Sequence, residues 1–443
     1  QADSAPWVEV LSGLGEKGPA CIRLWTGRAL WVLDVGAGPE ATSPFEPHWL
    51  EGATRVFITH DHVDHIGGAA HAIAAGLPIH CSAQTARALP PGAALHPLPE
   101  AGQVTVDGIC VTTGRNGHAL GGVWLHFALG EGLFFSGDWS EESTWFAFDP
   151  PPEAGTALID ASYHLDDVPQ AARLAALDRV LDDLEGCQLL FPVPPSGRAG
   201  ELALHLMRRG DLSLDDTCRQ ALTRALDSGG LNGRASDLAP LLTGAFDPAA
   251  RFLVCDTPNA DAGMAWQMVQ GWRDAGRLGR DAVVVFTGHM TAHARAIAAQ
   301  GGRFLRWNVH PPLSDQIAMV RRLGARRFAP LFCSQPEDYL LEPRFEAALL
   351  LKSTDTESGL AAVRAFLKEF DLDPNYPDRH RRETQELQLL AAELLIAAEL
   401  QRGLREAAVA DLALLDRLIA AFPYREQMRS EERRVGKECR SRW

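Results

Sequence analysis

A short segment rich in histidine and aspartate is the part of this sequence best suited to metal chemistry. It reads THDHVDHIGG and holds five potential ligands within six positions: His60, Asp61, His62, Asp64 and His65. Residues two apart on an extended turn project the same way, so His60 and His62 can bind one ion through their imidazole nitrogens. Asp64 and His65, at the turn into a helix, can face a second ion. The spacing predicts a two-metal hydrolytic site, with Asp64 also counted as catalytic.

Two later segments supply ligands that this cluster lacks. His118 precedes the predicted strand GVWLHF, and Asp138 follows the predicted strand GLFF. A third imidazole would complete the ligands of the first ion, and a carboxylate at a strand end can bridge both ions. Asp34, at the end of the strand WVLDVG, is expected to orient a ligand without binding metal itself. Nitrogen and oxygen donors around an open position favour two zinc ions, with manganese as an alternative.

The elements that position these residues follow two patterns. Residues 8–137 contain short apolar runs bounded by Gly, Pro and Asp, which predict a strand-rich layer with helices after His65 and near 83–89. From about residue 155 to 335, strands alternate with helices, as is typical of α/β folds. The strands predicted in this second part are TALID, QLLFPV, RFLVC, AVVVF, RFLRW and RRFAPLF. Residues 337–421 carry only helical periodicity, so we expect amphipathic helices and no further strand there.

Composition excludes several classes of protein. The chain has 443 residues, 46% hydrophobic and 22% charged, so it is too apolar for a disordered protein. No uncharged apolar run reaches the roughly 18 to 20 residues of a membrane-spanning helix, and the first residues lack a signal-peptide pattern. We therefore expect a cytoplasmic protein without a membrane partner. Because the net charge is −15, any nucleic-acid site must be a local basic or metal-lined cleft.

The end of the chain differs from the rest. Residues 429–443 hold six Arg and Lys against three Glu, lack apolar periodicity and resemble the translation of a common sequencing adapter, so we set them aside as a non-native tail. The seven cysteines before this tail show no C-x-x-C spacing. That pattern predicts buried thiols and neither a zinc ribbon nor a disulfide framework.

With its H-x-H-x-D-H segment, His118 and Asp138, the sequence resembles the metallo-β-lactamase superfamily. The resemblance implies an α/β fold of four layers, an αβ/βα sandwich with a dinuclear metal site between its two sheets. Members of this superfamily hydrolyse β-lactams, thioesters, lactones and phosphodiesters. The metal site alone therefore does not select a substrate.

Three later strings are similar to the nucleic-acid branch known as β-CASP, which includes ribonuclease J, the mRNA cleavage and polyadenylation nuclease and Artemis-like DNA nucleases. They are LIDASY at 158–163, FPV and GRAxE within 191–201, and WNVH at 307–310 followed by SDQ. The likeness implies a cap domain inserted into the metallo-β-lactamase domain. The implied boundaries are 1–185 and 306–336 for the metallo-β-lactamase domain, 186–305 for the β-CASP-like cap, 337–428 for a C-terminal helical extension and 429–443 for the tail.

The same resemblance implies roles outside the metal cluster. Asp160 and His310 match the pair that β-CASP enzymes use to protonate the leaving group. An orienting carboxylate suits this task, because an unassisted imidazole is half deprotonated near pH ~6.5. Arg198, just inside a predicted helix, can hold a substrate phosphate together with the helix N-terminus, although a surface salt bridge is an equally simple role. His289 is expected to reach the same cleft as a substrate-binding residue.

One position departs from the β-CASP pattern. Twenty-two residues after His310, where RNA-cleaving members carry a last metal-binding histidine, the chain has Phe332, which cannot bind metal. DNA-specific members are also apolar there, so nuclease chemistry is not excluded. The change removes one ligand from the second ion and predicts that this ion is weakly held. Cys333 is the neighbouring donor, but strand alternation favours a buried thiol at that position.

The sequence therefore predicts a metal-dependent hydrolase. The leading hypothesis is a nuclease that cleaves phosphodiester bonds with a zinc-bound hydroxide, acting on RNA or on single-stranded DNA, with RNA favoured. Two alternatives stay open: a hydrolase of small esters or thioesters that has kept its cap domain, and a catalytically degenerate partner protein that binds metal. The oligomeric state is not determined by the sequence.

Overall fold

The chain begins with a six-stranded mixed sheet. The computed structural model describes residues 5–38, 44–195, 197–342, 344–345 and 347–349. The strands lie in chain order: β1 (Trp7–Ser12), β2 (Cys21–Trp25), β3 (Leu30–Leu33), β4 (Ala53–Phe57), β5 (Pro78–Ser82) and β6 (Ala94–Leu98). The first three are antiparallel, and β3 to β6 are parallel. The carboxyl ends of β3 and β4 therefore meet at one edge, next to Asp34 and Thr59.

Five further strands form most of a second sheet. They are β7 (Gly102–Val106), β8 (Ile109–Arg115), β9 (Val123–Phe127), β10 (Leu133–Phe135) and β11 (Thr156–Asp160). Neighbours pair antiparallel from β7 to β10, whereas β11 runs parallel to β10. Because Asp138 follows β10 and Asp160 ends β11, the parallel pairing brings both carboxylates to the same edge of the sheet.

A separate, fully parallel sheet follows in the chain. Its strands are β12 (Gln188–Pro192), β13 (Leu212–Leu214), β14 (Phe252–Cys255), β15 (Ala282–Phe286) and β16 (Arg303–Phe304). They lie in the order β13-β14-β12-β15-β16. The chain then returns to the second sheet, where β17 (Arg327–Leu331) pairs with β11 and β18 (Ala348–Leu349) pairs with β17. Leu331 lies opposite Asp160, which places Phe332 beside the same edge.

Helices cover the faces of these sheets. Within the described residues the α-helices are α1 (Val63–Ile66), α2 (Ala69–Ala74), α3 (Ala83–Ala86), α4 (Gln170–Asp183), α5 (Arg198–Leu206), α6 (Asp216–Ser228), α7 (Ala239–Leu242), α8 (Gly263–Asp274), α9 (Ala292–Ala298) and α10 (Leu313–Leu323). Short 3-10 helices lie at Pro47–Leu50, Ala235–Leu238 and Pro336–Leu341. None of the helices in the described ranges is long and apolar enough to cross a membrane.

The first two sheets share one hydrophobic core. Trp31 and Phe57 of the first sheet contact Phe127 of the second, with ring centroids 5.9 and 5.4 Å from that phenyl ring. The outer face of the first sheet packs against α2, and that of the second packs against α10. The layers therefore follow the order helix, sheet, sheet, helix. Burial of apolar surface on both faces of each sheet stabilises this arrangement.

The parallel sheet has its own core on each face. Side chains alternate along β12, so Leu189 and Phe191 pack toward α5 and α6, while Leu190 packs toward α8 and α9. Parallel sheets covered on both faces bind ligands at the carboxyl ends of their strands. Arg198 lies at such an end, shortly after β12.

The expected α/β class is confirmed by these mixed sheets and helices. The strand TALID has the expected bounds. Two expectations were wrong. The predicted strand RFLRW is reduced to β16, since Leu305 and Trp307 beyond it donate to the carbonyls of Phe286 and Thr287, at and just after the end of β15, without forming a regular strand. A strand also occurs after residue 337, because the two residues of β18 are too few to produce a periodic signal.

The other predictions for the end of the chain concern residues that the structure does not describe. Of the helical extension expected at 337–428, everything after residue 349 is outside the described residues, as is the tail at 429–443. All of the described residues belong to one compact unit.

Asp315, in the first turn of α10, makes the stability of the fold depend on pH. One of its carboxyl oxygens is buried without a hydrogen-bond partner. Burial, followed by repulsion from Glu142, Glu141 and Asp167, raises the pKa of Asp315 from 3.8 to about 6. The folded protein thus holds this proton more tightly than the unfolded chain does. Stability is therefore lost as the pH rises from about 4 through about 6.

We expect Asp315→Asn to stabilise the protein near pH ~7.5 by up to about 1 kcal/mol, a value reduced because the side chain is partly exposed. At about pH 4 the gain should disappear, because Asp315 is then protonated in both states. Urea denaturation of both proteins across this range measures the difference. Asp107→Asn is the control, because Asp107 is not among the charges that act on Asp315: the hydrogen bond from Arg55 lowers the pKa of Asp107, so this variant should lose stability at neutral pH. A gain that does not change with pH would contradict the assignment.

Candidate metal centre

Asp34 holds the histidine-rich turn in place. It follows β3 with a left-handed backbone, φ 56°, and its side chain is fully buried. The carboxylate accepts hydrogen bonds from the backbone N–H of Thr59 at 2.8 Å and from its hydroxyl at 2.9 Å. It also lies 2.7 Å from Nδ1 of His65, whose Nε2 lies 3.1 Å from Asp138. Asp34 thus orients the imidazole of His65 toward Asp138.

Asp138 is shared by three groups of side chains that could each hold a metal ion. Within every group the donor atoms lie within 4.8 Å of one another. The groups are His60, His62, His118 and Asp138; Asp64, His65 and Asp138; and Asp138, Asp160 and His310. The structure therefore brings together the six residues expected as ligands and places the Asp160–His310 pair beside them.

The donors of the first group fit a metal ion. Nε2 of His60 is buried without a hydrogen-bond partner, while its Nδ1 lies 3.0 Å from the Thr59 hydroxyl. Nε2 of His118 lies 3.1 Å from Nδ1 of His62 and 3.4 Å from Asp138. A buried polar atom without a partner costs about 1–3 kcal/mol. A cation among three imidazoles and a carboxylate would satisfy these atoms together, and such donors suit zinc.

Burial sets the protonation state of this group. It lowers the pKa of His60 and His118 well below 6.5, which favours the neutral imidazole that binds metal. Burial would raise the pKa of Asp138, but the neighbouring His65, His310 and His118 hold it well below its usual range. The group therefore combines neutral nitrogen donors with an ionised central carboxylate.

The second group has fewer donor residues than the first, and two carboxylates act on its histidine. His65 lies between the carboxylates of Asp34 and Asp138. Burial would lower the pKa of His65, but Asp138 and then Asp34 raise it well above 6.5. A proton thus occupies the imidazole between two negative charges. A metal ion bound there would replace that proton, so binding at this group should release one.

An apolar side chain closes one side of the second group. The ring of Phe332 lies 5.3 Å from that of His65, with an angle of 76° between the planes. Phe332 has a left-handed backbone, φ 62°, and its N–H donates to the carbonyl of Gly13 at 2.6 Å. The phenyl ring offers no donor atom here. The second group therefore has three donor residues where the first has four.

Cys333 and His289 are not members of the donor groups. Cys333 is buried and pairs with Leu14 in an isolated β-bridge. His289 is exposed in the loop after β15. Among the described residues, neither belongs to a group of three donors.

His310 and Asp160 form a hydrogen-bonded pair next to Asp138. Nδ1 of His310 lies 2.7 Å from Oδ2 of Asp160 and 3.8 Å from Asp138. Asp160 is fully buried and accepts a hydrogen bond from the N–H of Ser162 at 2.8 Å. Burial would lower the pKa of His310, but Asp160 and Asp138 raise it. The pair therefore favours a protonated imidazole whose Nε2 is left to donate.

Arg198 lies in a cleft beside the first donor group. Its Nη1 donates to the carbonyl of Thr287 at 3.1 Å, and its Nε has no hydrogen-bond partner. The guanidinium packs so closely on Gly288 that any side chain at that position would collide with it. The lining of this cleft includes Gly117, His118, Ser140, Ser143, Arg198 and Asn308. A cationic N–H without a partner beside the donor group suits an anion.

Sequence reasoning missed the groups that support these side chains. The Val309 carbonyl bonds to His118, the Tyr163 hydroxyl bonds to the backbone around Val309, and Glu201 bonds to the indole of Trp307. All of them occur inside the quoted strings LIDASY, GRAxE and WNVH. Their presence in these strings was the only available signal, because hydrogen bonds between distant segments leave no local pattern.

Comparison with known proteins gives distant matches. No family model matches the chain. The DNA cross-link repair protein SNM1 of Arabidopsis thaliana is 32% identical over 102 residues, which are 22% of this chain and 21% of that relative. The match thus spans about a fifth of the relative's length. It supports the metallo-β-lactamase superfamily over that region.

A solved structure gives a likeness of fold alone. It is the crystal structure of a protein of unknown function from Enterococcus faecalis V583, with a TM-score of 0.50 and 14% sequence identity. The superposition covers 75% of this chain and 95% of that chain.

Proposed function

We propose that this chain is a metal-dependent nuclease of the β-CASP type that hydrolyses phosphodiester bonds in RNA or single-stranded DNA. The observation that carries the proposal is the position of Asp138, which is common to two groups of metal donors and to the Asp160–His310 pair. Two adjacent cation positions and a proton donor are the parts of a two-metal site for phosphodiester hydrolysis. The name of the Arabidopsis relative, a DNA cross-link repair protein, supports nucleic acid as the substrate.

In this proposal residues 1–185 and 306–336 are the metallo-β-lactamase domain, which contains the first sheet and all strands of the second sheet except β18. The parallel sheet is the β-CASP-like cap, formed by residues 186–305. The return of β17 to pair with β11 supports this division, since the chain leaves the second sheet and rejoins it beside the strand that it left. The cleft of Arg198 has lining residues from both parts.

The residues of this chain have separate tasks in the proposed reaction. Zinc or manganese, held by His60, His62, His118, Asp64, His65 and Asp138, would activate water and offset the charge of the phosphate. His310, oriented by Asp160, delivers its proton to the leaving oxygen. Arg198 and the N-terminus of α5 bind a phosphate oxygen, and His289 contacts the nucleic acid from its exposed loop.

The two kinds of nucleic acid are supported by different features. The GRAxE string is similar to that of RNA-cleaving β-CASP proteins, and on this ground RNA is the favoured substrate. Phe332 and the name of the relative favour DNA. The assay therefore compares the two directly.

The test uses the full chain, loaded with zinc or manganese and incubated with end-labelled single-stranded RNA and DNA of one sequence. We expect fragments that require the metal and disappear when a chelator is added. The preferred strand identifies the substrate. Tight metal binding without cleavage of either strand would overturn the proposal, and turnover of small esters or thioesters would then identify a different hydrolase.

Replacing Arg198 with Ala should raise KM by about 10- to 100-fold with a smaller effect on kcat, because a hydrogen bond to a charged group contributes about 1.5–3 kcal/mol. Initial rates over a range of oligonucleotide concentrations measure the change. Arg251→Ala is the matched control, since Arg251 also donates to backbone carbonyls, those of Arg209 and Leu181, away from the cleft. An unchanged KM in Arg198→Ala would show that Arg198 only supports its own loop.

A further inference from the structure

Residues 307–310 place two groups beside the metal centre, a backbone carbonyl and an imidazole. The carbonyl of Val309 lies 2.6 Å from Nδ1 of His118, and His310 lies 2.7 Å from Asp160. When His118 donates its Nδ1–H to Val309, its Nε2 carries a free lone pair, which faces His62. This is the tautomer that a metal ligand needs. The position of one tetrapeptide thus controls both a candidate ligand and the proton donor.

The hydroxyl of Tyr163 forms two hydrogen bonds with the backbone of this tetrapeptide. It donates to the carbonyl of Trp307 at 3.1 Å and accepts from the N–H of Val309 at 3.0 Å. The two bonds join backbone groups in a segment that belongs to no helix or strand. The ring of Tyr163 also lies 5.2 Å from the imidazole of His310, nearly perpendicular to it. One side chain therefore contacts the segment at three of its four residues.

Glu201 anchors the start of the same segment. One carboxylate oxygen accepts the indole N–H of Trp307 at 2.6 Å, and the other accepts the N–H of Thr144 at 2.7 Å. Both Glu201 and Trp307 are buried. The segment is thus held from α5 on one side and from the residues after β11 on the other. Hydrogen bonds of this kind determine the orientation of ligands in metal sites.

We propose that Tyr163 is a positioning residue of the metal centre. Its hydroxyl fixes the backbone of residues 307–309, and this fixes the tautomer of His118 and the place of His310. The inference rests on the proposed function, because it takes His118 as a metal ligand and His310 as the proton donor. Tyr163 itself contacts neither metal nor substrate in this role.

Tyr163→Phe tests the proposal, because it removes one hydroxyl and keeps the ring. Loss of an outer hydrogen bond in a metal site lowers affinity or activity by about 10- to 100-fold. We expect the affinity for Co²⁺, measured by competition with a chelator, to fall by about 10-fold or more. The visible absorption of bound Co²⁺ should change, and kcat for cleavage should fall while KM changes little.

Tyr339→Phe is the matched control. Tyr339 is also buried, and its hydroxyl donates to Gln316 at 2.8 Å and lies 3.0 Å from the carbonyl of His164. This variant should lose a similar amount of thermal stability while keeping the Co²⁺ affinity and spectrum of the wild type. Tyr163→Phe with wild-type affinity and spectrum would overturn the proposal.

Glu201→Gln tests the same segment if Tyr163→Phe does not fold. It replaces one carboxylate oxygen by an amide group, and we expect the same loss of Co²⁺ affinity, whereas wild-type affinity would overturn the proposal. The Co²⁺ measurements do not depend on cleavage. If the wild type cuts no nucleic acid but Tyr163→Phe still weakens Co²⁺ binding, the proposed nuclease function fails and the positioning role stands.

Discussion

Asp138→Asn is expected to reduce phosphodiester cleavage by about 10³-fold and to remove most of the bound metal. The reason is that Asp138 belongs to every donor group found among the described residues. Stabilisation by a bound cation amounts to several kcal/mol, and about 1.4 kcal/mol corresponds to a factor of ten. An amide keeps the size of the carboxylate but lacks its charge. Metal content by mass spectrometry, together with cleavage of end-labelled oligonucleotides, measures both effects.

The control for Asp138→Asn is Asp215→Asn. Asp215 is also buried, and it accepts hydrogen bonds from the backbone of Cys218 at 2.8 Å and of Asp256 at 3.0 Å. It caps α6 and belongs to none of the donor groups. Asn also caps helices well, so this variant should keep its metal and its activity. If Asp138→Asn retained full metal content and cleaved within about tenfold of the wild type, the shared carboxylate would not be the centre of the site.

His310→Ala is expected to lower kcat for a natural phosphodiester by about 10²- to 10⁴-fold, the usual contribution of a general acid. The metal content should stay close to that of the wild type, because both other donor groups remain complete. A substrate with a p-nitrophenolate leaving group needs no proton, so its cleavage should fall far less. An equal loss on both substrates would assign His310 to metal binding or to structure.

Asp160→Asn extends this prediction to pH. Burial opposes the charge on His310, and Asp160 is the first of the groups that raise its pKa. Because the acid acts in its protonated form, kcat falls as the pH rises through this pKa. Without the charge of Asp160 the pKa is lower, so the alkaline limb of the profile should shift to lower pH. A limb that stays in place or moves to higher pH would contradict the pairing.

The site was predictable from sequence where its parts are close along the chain. His60, His62, Asp64 and His65 lie in one turn after a strand, although α1 begins at Val63, earlier than the helix predicted after His65. Asp138 follows β10 and Asp160 ends the neighbouring β11, so their convergence needed only the parallel pairing of these two strands. The two-residue strands β16 and β18 were poorly predicted, since pairing with a neighbour and not local propensity creates them.

The sequence by itself determined the donor types and the α/β class, because both depend on spacings of a few residues. Only the tertiary structure decided how the donors are shared and oriented. His118 meets the carbonyl of a residue 191 positions away, and His310 meets Asp160 across 150 positions. Such contacts form only when the three sheets and their helices pack together, and side-chain patterns along the chain carry no record of them. The contact between Phe332 and His65 was also decided by the tertiary structure, because the phenyl ring faces His65 only when β17 is part of the second sheet.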